Sequence, residues 1–180
     1  FSIGRFRFLD SYQFLTASLD SLTNNLLDEG IDKFVHLKKH YPHLTKKQIH
    51  KGSYPYDFID DKAKFEQSYL PAQNDFFSLL TNQSISDEKY EQCRDLWNEM
   101  NMTNLGQYHD YYLSLDVLLL ADNFENFRNM STLHYNLDPC NYFTAPGLFW
   151  DAMLKNTNAC LELITNEEML VFIEGGIRGG

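Results

Sequence analysis

The sequence lacks the hallmarks of several protein classes. Its longest runs of strictly apolar residues, Val117 to Ala121 and Met169 to Ile173, cover five positions each, whereas a membrane-spanning helix needs about 20. Only three cysteines are present, and they are widely spaced (Cys93, Cys140 and Cys160). Neither a disulfide framework nor a Cys-x-x-Cys zinc site is therefore indicated. We expect an intracellular protein from a reducing compartment, with no membrane partner.

Phosphate-binding glycine loops of the P-loop or Rossmann kind are also missing. Basic residues are few, with 15 Lys and Arg against 25 Asp and Glu and a net charge of −10, which weighs against a generic polyanion-binding protein. They are nevertheless concentrated, because residues 33–51 hold six lysines, four histidines and no acidic residue. This basic segment suits tracking a phosphate backbone, and it equally fits a solvated helix and loop.

Material for a hydrophobic core is abundant. Hydrophobic residues make up 43% of the 180 residues and aromatic residues 15%, which is typical of a globular protein. The chain starts at Phe1 and ends inside a glycine-arginine cluster, so we expect it to be a piece of a longer protein.

Hydrophobic periodicity predicts one strand followed by several helices. Residues 5–9 alternate with period two, which predicts a strand with Phe6 and Phe8 facing inward. The turn-rich stretch 51–57 excludes a regular helix at that place. Helices are predicted over 15–27 (ended by Gly30), from the N-cap Ser86, over 105–130, from Thr144, and from the capping box of Thr165 with Glu168 (ended by Gly175).

The most informative pair of polar residues is Tyr112 and Asp116, which are four residues apart and hence neighbours on one helix face. Five apolar residues follow Asp116, and a carboxylate beside a core needs a cation or strong donors. A divalent metal is one such cation, and the neighbouring phenol would orient a metal-bound water for attack on phosphate. Alternatively, Asp116 faces the solvent beside Asp122 and Glu125. The local pattern leaves both interpretations open.

Five segments of the sequence resemble segments of one known family, and they follow one another in the same order as in that family. Residues 108–128 resemble the third exonuclease motif of protein-primed family B DNA polymerases, in the variant found in Polinton/Maverick elements and related viral and linear-plasmid enzymes. Residues 7–11 resemble the strand and Asp-Ser turn of the exonuclease domain, and residues 51–56 resemble its Lys-Gly loop. Residues 144–153 resemble the stretch leading to the polymerase domain, and residues 177–180 resemble the Tyr-x-Gly-Gly element that joins the two domains.

This resemblance implies an α/β fold, namely a truncated ribonuclease-H-like exonuclease domain that is helix-rich, with a helical connection to the polymerase domain. Residues 1–130 would be the C-terminal part of the 3′-5′ exonuclease domain, and residues 131–180 would lead into the polymerase domain. The parent would be a proofreading DNA polymerase acting in DNA replication with Mg²⁺ or Mn²⁺. Its partners would be DNA (primer terminus and single strand), deoxynucleotides and a terminal priming protein. Its location would be nuclear or associated with a mobile element or virus.

The resemblance also implies roles for individual residues. Asp116 would be a metal ligand and Tyr112 the water-orienting phenol. Lys51 would stabilise developing phosphate charge. Tyr56 would stack on the frayed primer end, and Ser11 would contact the single strand. The element that steers the primer between synthesis and proofreading would include the DNA-binding residues Arg178, Gly179 and Gly180.

The sequence departs from the family pattern in two places. Ile177 replaces the tyrosine of the joining element, and Ser114 with Leu115 stands where relatives often carry a charged residue. The remaining catalytic carboxylates would lie outside the 180 residues, and one aspartate cannot hold two cations. We therefore expect the isolated chain to be inactive. The alternative is a non-catalytic interaction or single-strand-DNA-binding remnant of such a polymerase.

Overall fold

A computed structural model describes residues 1–177. Arg178, Gly179 and Gly180 lie outside the described residues. The described part forms a small antiparallel hairpin, in which Ser2 pairs with Arg7 and Ile3 with Phe6, followed by α-helices joined by loops and short 3₁₀ turns. The elements are β1 (Ser2–Ile3), β2 (Phe6–Arg7), α1 (Leu19–Glu29), α2 (Val35–His40), α3 (Asp87–Glu99), α4 (Leu105–Tyr135), α5 (Ala145–Thr157) and α6 (Glu167–Gly176).

Helix α4 is the central element of the fold. It has 31 residues, which corresponds to roughly 46 Å at about 1.5 Å per residue. It begins where the Asn104 side chain accepts a hydrogen bond from the Gln107 amide (2.9 Å), and it ends at Asn136, which adopts the left-handed conformation (φ 51°). The predicted helix over 105–130 is confirmed and continues to Tyr135.

The hydrophobic core lies along one side of α4. Buried α4 residues recur three or four positions apart, as expected for a helix with one apolar face. Helices α1, α2 and α5 and the turn Lys62–Glu66 all contact α4. The buried core residues are Leu26, Leu27, Phe34, Leu37, Leu44, Ile49, Phe76, Cys93, Met102, Leu105, Tyr108, Tyr111, Leu115 and Leu119.

Two buried polar residues of α4 hold the neighbouring helices in place. The Asp122 carboxylate is 2% exposed and accepts hydrogen bonds from the amides of His36 (2.8 Å) and Leu37 (2.9 Å). Because α2 has no side-chain cap of its own, α4 supplies it. The Asn123 amide donates to the Thr23 hydroxyl in α1 (3.3 Å). Asp122 therefore does not lie on a solvent face, as one interpretation of the sequence assumed.

The N-terminal hairpin corrects the predicted strand over 5–9. Strand β2 is only two residues long, and Phe6 (74%) and Phe8 (48%) are exposed. The prediction that both face inward is wrong. Alternation of apolar and polar residues predicts that a strand has two different faces, but it does not predict whether another element covers the apolar face. Within the described residues, no further strand or helix packs on this hairpin as a layer. The Phe8 ring stacks instead on Phe1, with the ring centroids 4.8 Å apart.

Two helices begin where the sequence predicted. Helix α3 starts after Ser86, whose hydroxyl accepts a hydrogen bond from the Lys89 amide (3.4 Å). Helix α5 starts after Thr144 and carries Pro146 in its first turn. Proline is tolerated there because the backbone N–H that it lacks would have no partner within the helix.

Two other predicted starts are displaced. Helix α1 begins at Leu19 rather than residue 15, because Ser18 provides the cap. Helix α6 begins at Glu167 because the side chain of Asn166, and not that of Thr165, accepts the hydrogen bond from the Met169 amide (2.9 Å). Polar residues that neighbour each other in sequence compete for the cap, and pattern alone does not decide between them.

The helix-rich character is confirmed, whereas the ribonuclease-H-like assignment stays a prediction, since the hairpin is the one sheet in the described part of the chain. The predicted boundary between residues 130 and 131 falls within α4, and it also stays a prediction. Residues 158–177 are all exposed. No helix among residues 1–177 is long and apolar enough to cross a membrane.

Candidate functional site

An aromatic cluster forms where the loop of residues 51–56 lies against the first half of α4. The loop has no regular structure, as predicted. The Tyr108 hydroxyl of α4 donates to the Ser53 carbonyl (2.6 Å). Gly52 comes so close to α4 that a Cβ there would lie 3.1 Å from Cδ2 of Tyr112. A glycine at this position therefore permits the close approach of loop and helix.

Tyr112 is the centre of this aromatic cluster. The Tyr54 ring stacks on it, with centroids 4.7 Å apart and planes inclined by 25°. The Tyr56 hydroxyl lies 2.6 Å from the Tyr112 hydroxyl. Tyr112 is buried (8% exposed), whereas Tyr56 is 65% exposed. The cluster thus presents an open aromatic ring to solvent beside a buried phenol.

Asp116 follows Tyr112 by one helical turn, and one of its oxygens is isolated. Its Oδ1 atom is buried and has no hydrogen-bond partner among the described residues. A buried carboxylate oxygen without a donor or cation is costly. Oδ1 of Asp116 is therefore free to bind a cation or a hydrogen-bond donor, and it does not simply point into open solvent.

The Tyr112 phenol is held in its neutral form. Burial, the hydrogen bond with Tyr56 and the charge of Asp116 all raise the pKa of Tyr112, burial most of all. A neutral phenol near pH 7 can donate and accept hydrogen bonds but cannot act as a base. This position suits orientation of a water or of a phosphate oxygen.

The described residues do not by themselves fit a divalent metal. Mg²⁺ prefers near-octahedral coordination by oxygen atoms. Among residues 1–177 there is no group of three or more His, Cys, Asp and Glu side chains placed to hold a metal ion. Asp116 is thus a single possible ligand, and the cluster is not a complete metal centre.

The other predicted site residues are distributed around α4. Lys51 is exposed and begins the loop that contacts Tyr112. Ser11 lies in a 3₁₀ turn and lines a cleft together with Leu120, one turn of α4 beyond Asp116. The loop thus brings Tyr56 to Tyr112, one helical turn before Asp116. Lys51 begins the same loop, and Ser11 lies in a turn beside Leu120, further along α4. Arg178, Gly179 and Gly180 lie outside the described residues.

Two members of the cluster were not predicted from the sequence. The Tyr54 hydroxyl lies 2.6 Å from Nδ1 of His109, which precedes Tyr112 by three residues on α4. The i, i+3 spacing of His109 and Tyr112 was a usable signal. The contact with Tyr54 spans 55 positions along the chain, and no local pattern indicates it.

A small cavity of about 50 Å³ adjoins the aromatic cluster between α3, α4 and residues 47–52. Tyr111 lines it and is 5% exposed, and its hydroxyl has no hydrogen-bond partner within the described chain. Burial raises the pKa of Tyr111 to about 12. Lys47 and His50 lie at this cavity opposite Asp95 and Glu99, so the basic segment adjoins the cluster.

The basic segment itself is a helix followed by a loop. It is anchored by buried Phe34, Leu37 and Ile49, while most of its lysines are exposed. Apolar residues that face the core leave the charged ones at the surface. This arrangement is compatible with a polyanion-binding surface and with an ordinary solvated one.

Comparison with known protein families gives a match that covers the whole chain. The sequence model of the family described as DNA polymerase type B, organellar and viral, matches residues 1–180. No curated protein and no solved structure matches the chain significantly.

Proposed function

Because the chain belongs to the family of organellar and viral type B DNA polymerases, we propose that it is part of a DNA-directed DNA polymerase acting in DNA replication. In the finer assignment, residues 1–130 belong to a ribonuclease-H-like 3′-5′ exonuclease domain and residues 131–180 lead into the polymerase domain. The polymerase is of the protein-primed, Polinton-related type and works with a terminal priming protein. The order of the five resembling segments supports this finer assignment.

The observation that carries the exonuclease proposal is the contact between two distant segments. The loop of residues 51–56 and the pair Tyr112 and Asp116 each resemble an exonuclease motif. Tyr56 and Tyr112 are 56 positions apart in the chain, yet their hydroxyls are 2.6 Å apart. A shared site requires that its two segments come together in this way.

Each residue of the cluster has a task in this proposal. The neutral Tyr112 phenol orients the attacking water, and the Lys51 ammonium stabilises the charge that develops on phosphate. The exposed Tyr56 ring stacks on the terminal base. Asp116 contributes one ligand to a metal site whose other carboxylates lie outside the described residues. The 180-residue chain alone is accordingly inactive.

The test uses a longer polymerase that contains the remaining exonuclease carboxylates. Asp116→Ala should abolish hydrolysis of single-stranded DNA from the 3′ end and leave nucleotide incorporation intact. Tyr112→Phe should be milder, with a loss of roughly 10²-fold for a misplaced water. Asp110→Ala is the matched control, because Asp110 is exposed on the same helix. Full exonuclease activity in a folded Asp116→Ala protein would contradict the exonuclease assignment.

A second candidate function is single-strand binding without hydrolysis. The exposed Tyr56 ring and the adjoining basic segment favour it, because stacking and backbone charge suffice for sequence-tolerant binding. The same longer polymerase separates the two candidates. Binding of single-stranded DNA with no hydrolysis in the native protein would favour the remnant, and metal-dependent hydrolysis would favour the exonuclease.

A further inference from the structure

We infer that Tyr54 and His109 form a positioning pair that fixes the Tyr112 ring and hence the direction in which its hydroxyl points. This inference rests on the proposed exonuclease function, in which Tyr112 is the residue that touches the reacting water. Tyr54 and His109 act through Tyr112 and are positioning residues rather than catalytic ones.

The first support is the stacking of Tyr54 on Tyr112. With centroids 4.7 Å apart and planes inclined by 25°, the Tyr54 ring covers one face of the Tyr112 ring. Gly52 lies against the edge of the same ring, near Cδ2. The ring is thus confined by two members of one loop. The O–H bond of a phenol lies in the plane of its ring, so contacts that hold the ring plane also hold the direction of the O–H bond.

The second support is the attachment of Tyr54 to α4 through His109. The Tyr54 hydroxyl and His109 Nδ1 are 2.6 Å apart. Burial raises the pKa of Tyr54, so its phenol keeps its proton near neutral pH and can donate a hydrogen bond to Nδ1 of His109. The His109 ring packs in turn against Phe65, with centroids 4.8 Å apart. The stacking partner of Tyr112 is therefore anchored to the same helix that carries Tyr112.

The third support is the way the loop is tied to α4 at successive positions. Ser53 accepts from Tyr108, Tyr54 meets His109, and Tyr56 meets Tyr112. The hydrogen bond from Tyr108 to the Ser53 carbonyl uses a backbone acceptor, so it holds the loop whatever the loop side chains are. The third contact involves the hydroxyl that is proposed to act on water. Of these three contacts, the one between Tyr54 and His109 holds the ring that stacks on Tyr112.

The inference can be tested in the 180-residue chain without any enzymatic activity. We expect the flip rate of the Tyr112 ring, measured by NMR line shapes and assigned by their loss in Tyr112→Phe, to rise several-fold in Tyr54→Phe and in His109→Leu. His109→Asn keeps an acceptor near the place of Nδ1 and should restore the slow rate. Tyr69→Phe is the control, because Tyr69 is 64% exposed. Equal flip rates in all variants would overturn the inference.

Kinetics in the longer polymerase provide the second readout. Tyr54→Phe should lower kcat for hydrolysis by roughly 3- to 10-fold with KM unchanged, since a modest displacement of the phenol misplaces the water. The double variant Tyr54→Phe/Tyr112→Phe should be no slower than Tyr112→Phe alone, because Tyr54 acts only through Tyr112. Additive losses, or a fall in nucleotide incorporation as well, would indicate a general structural role and overturn the inference.

The two failures are distinguishable. If Tyr112→Phe hydrolyses DNA at the native rate, the proposed role of Tyr112 is wrong, whatever the flip rates are. If Tyr112→Phe is slow while Tyr54→Phe and His109→Leu retain native kcat, only the positioning inference fails.

Discussion

The two halves of α4 use a carboxylate in opposite ways. In the half that packs on α1 and α2, both oxygens of Asp122 accept a backbone hydrogen bond. In the half that faces the loop of residues 51–56, Asp116 has a buried oxygen with no partner in the described chain. A buried carboxylate whose bonds are all made inside the fold is a structural element. A carboxylate such as Asp116, which has an oxygen without a hydrogen-bond partner beside a neutral phenol, is a candidate ligand for a metal ion.

The largest expected difference between the halves is in stability. Asp122→Ala should lower the free energy of unfolding by about 3 kcal/mol, because it strands two amide donors at the start of α2. Asp116→Ala should cost much less, since Oδ1 of Asp116 has no hydrogen-bond partner among the described residues and no amide donor is left unpaired by the change. Urea denaturation of both variants measures this, with Asp122→Asn as an intermediate case that keeps one acceptor oxygen. Equal losses for Asp116→Ala and Asp122→Ala would break the comparison.

A smaller effect is expected on DNA binding near the loop-facing half. Changing Lys46 and Lys47 to Gln should weaken binding of single-stranded DNA about tenfold at low salt and flatten the salt dependence, by roughly 0.7 in slope for each lost phosphate contact. Fluorescence anisotropy at several salt concentrations measures both quantities.

The matched control for this charge change is the double variant Lys62→Gln/Lys89→Gln. It has the same net charge, and both lysines are exposed outside the basic segment. If the two double variants bind equally, net charge alone governs binding, and the basic segment has no special role.

The third prediction concerns the close approach at Gly52. Gly52→Ala should lower stability by about 1 kcal/mol, because its Cβ would press on the Tyr112 ring, which Tyr54 and Tyr56 hold from other sides. Gly147→Ala in α5 should instead raise stability by roughly 0.5 to 1 kcal/mol, since the added Cβ meets only ordinary contacts. Thermal unfolding of both variants checks the opposite signs. A stabilised Gly52→Ala would mean that the loop can move away from α4.

The smallest expected effect is the pH dependence of the stability that Asp138 contributes. This third carboxylate is half-exposed and lies just beyond α4. The hydrogen bond from the Arg128 guanidinium lowers the pKa of Asp138 to about 2. A carboxyl whose pKa is lower in the folded state than its usual value near 4 stabilises the fold above pH ~4 and loses that contribution between pH ~4 and ~2.

The Asp138→Asn variant exposes this contribution. The difference in unfolding free energy between native and variant should be below about 1 kcal/mol at pH 6, given the solvent screening of the pair, and should shrink towards pH 2. Denaturation at a series of pH values measures it. A difference that stays constant over this range would show that Arg128 does not act through the charge of Asp138.

The helices could largely be predicted from the sequence because their signals are local. Ser86 marked the start of α3, and the spacing of apolar residues marked α4 over most of its length. Caps and helical faces depend on residues within four positions of each other. Where two polar neighbours compete for the same cap, as at Thr165 and Asn166, the local signal is degenerate and the prediction missed by one residue.

The candidate site could be predicted only in part. The spacing of Tyr112 and Asp116 placed them on one helix face, and resemblance alone indicated Lys51 and Tyr56. The contact of Tyr54 with His109 lies between segments that are 55 positions apart, and no pattern along the chain encodes it. The side on which Phe6 and Phe8 lie was mispredicted for a related reason, because burial depends on what packs across a strand.

The sequence by itself determined that α4 is one long helix and that Tyr112 and Asp116 are neighbours on it, since 3.6 residues per turn leave no other arrangement. It did not determine which carboxylate of α4 would be satisfied. Asp116 and Asp122 flank the same apolar run and are alike as local patterns. Only the tertiary structure distinguishes them, because the amides of α2 come to Asp122 and leave Oδ1 of Asp116 without a donor. A hydrogen bond between distant segments exists only once packing has brought its two ends together.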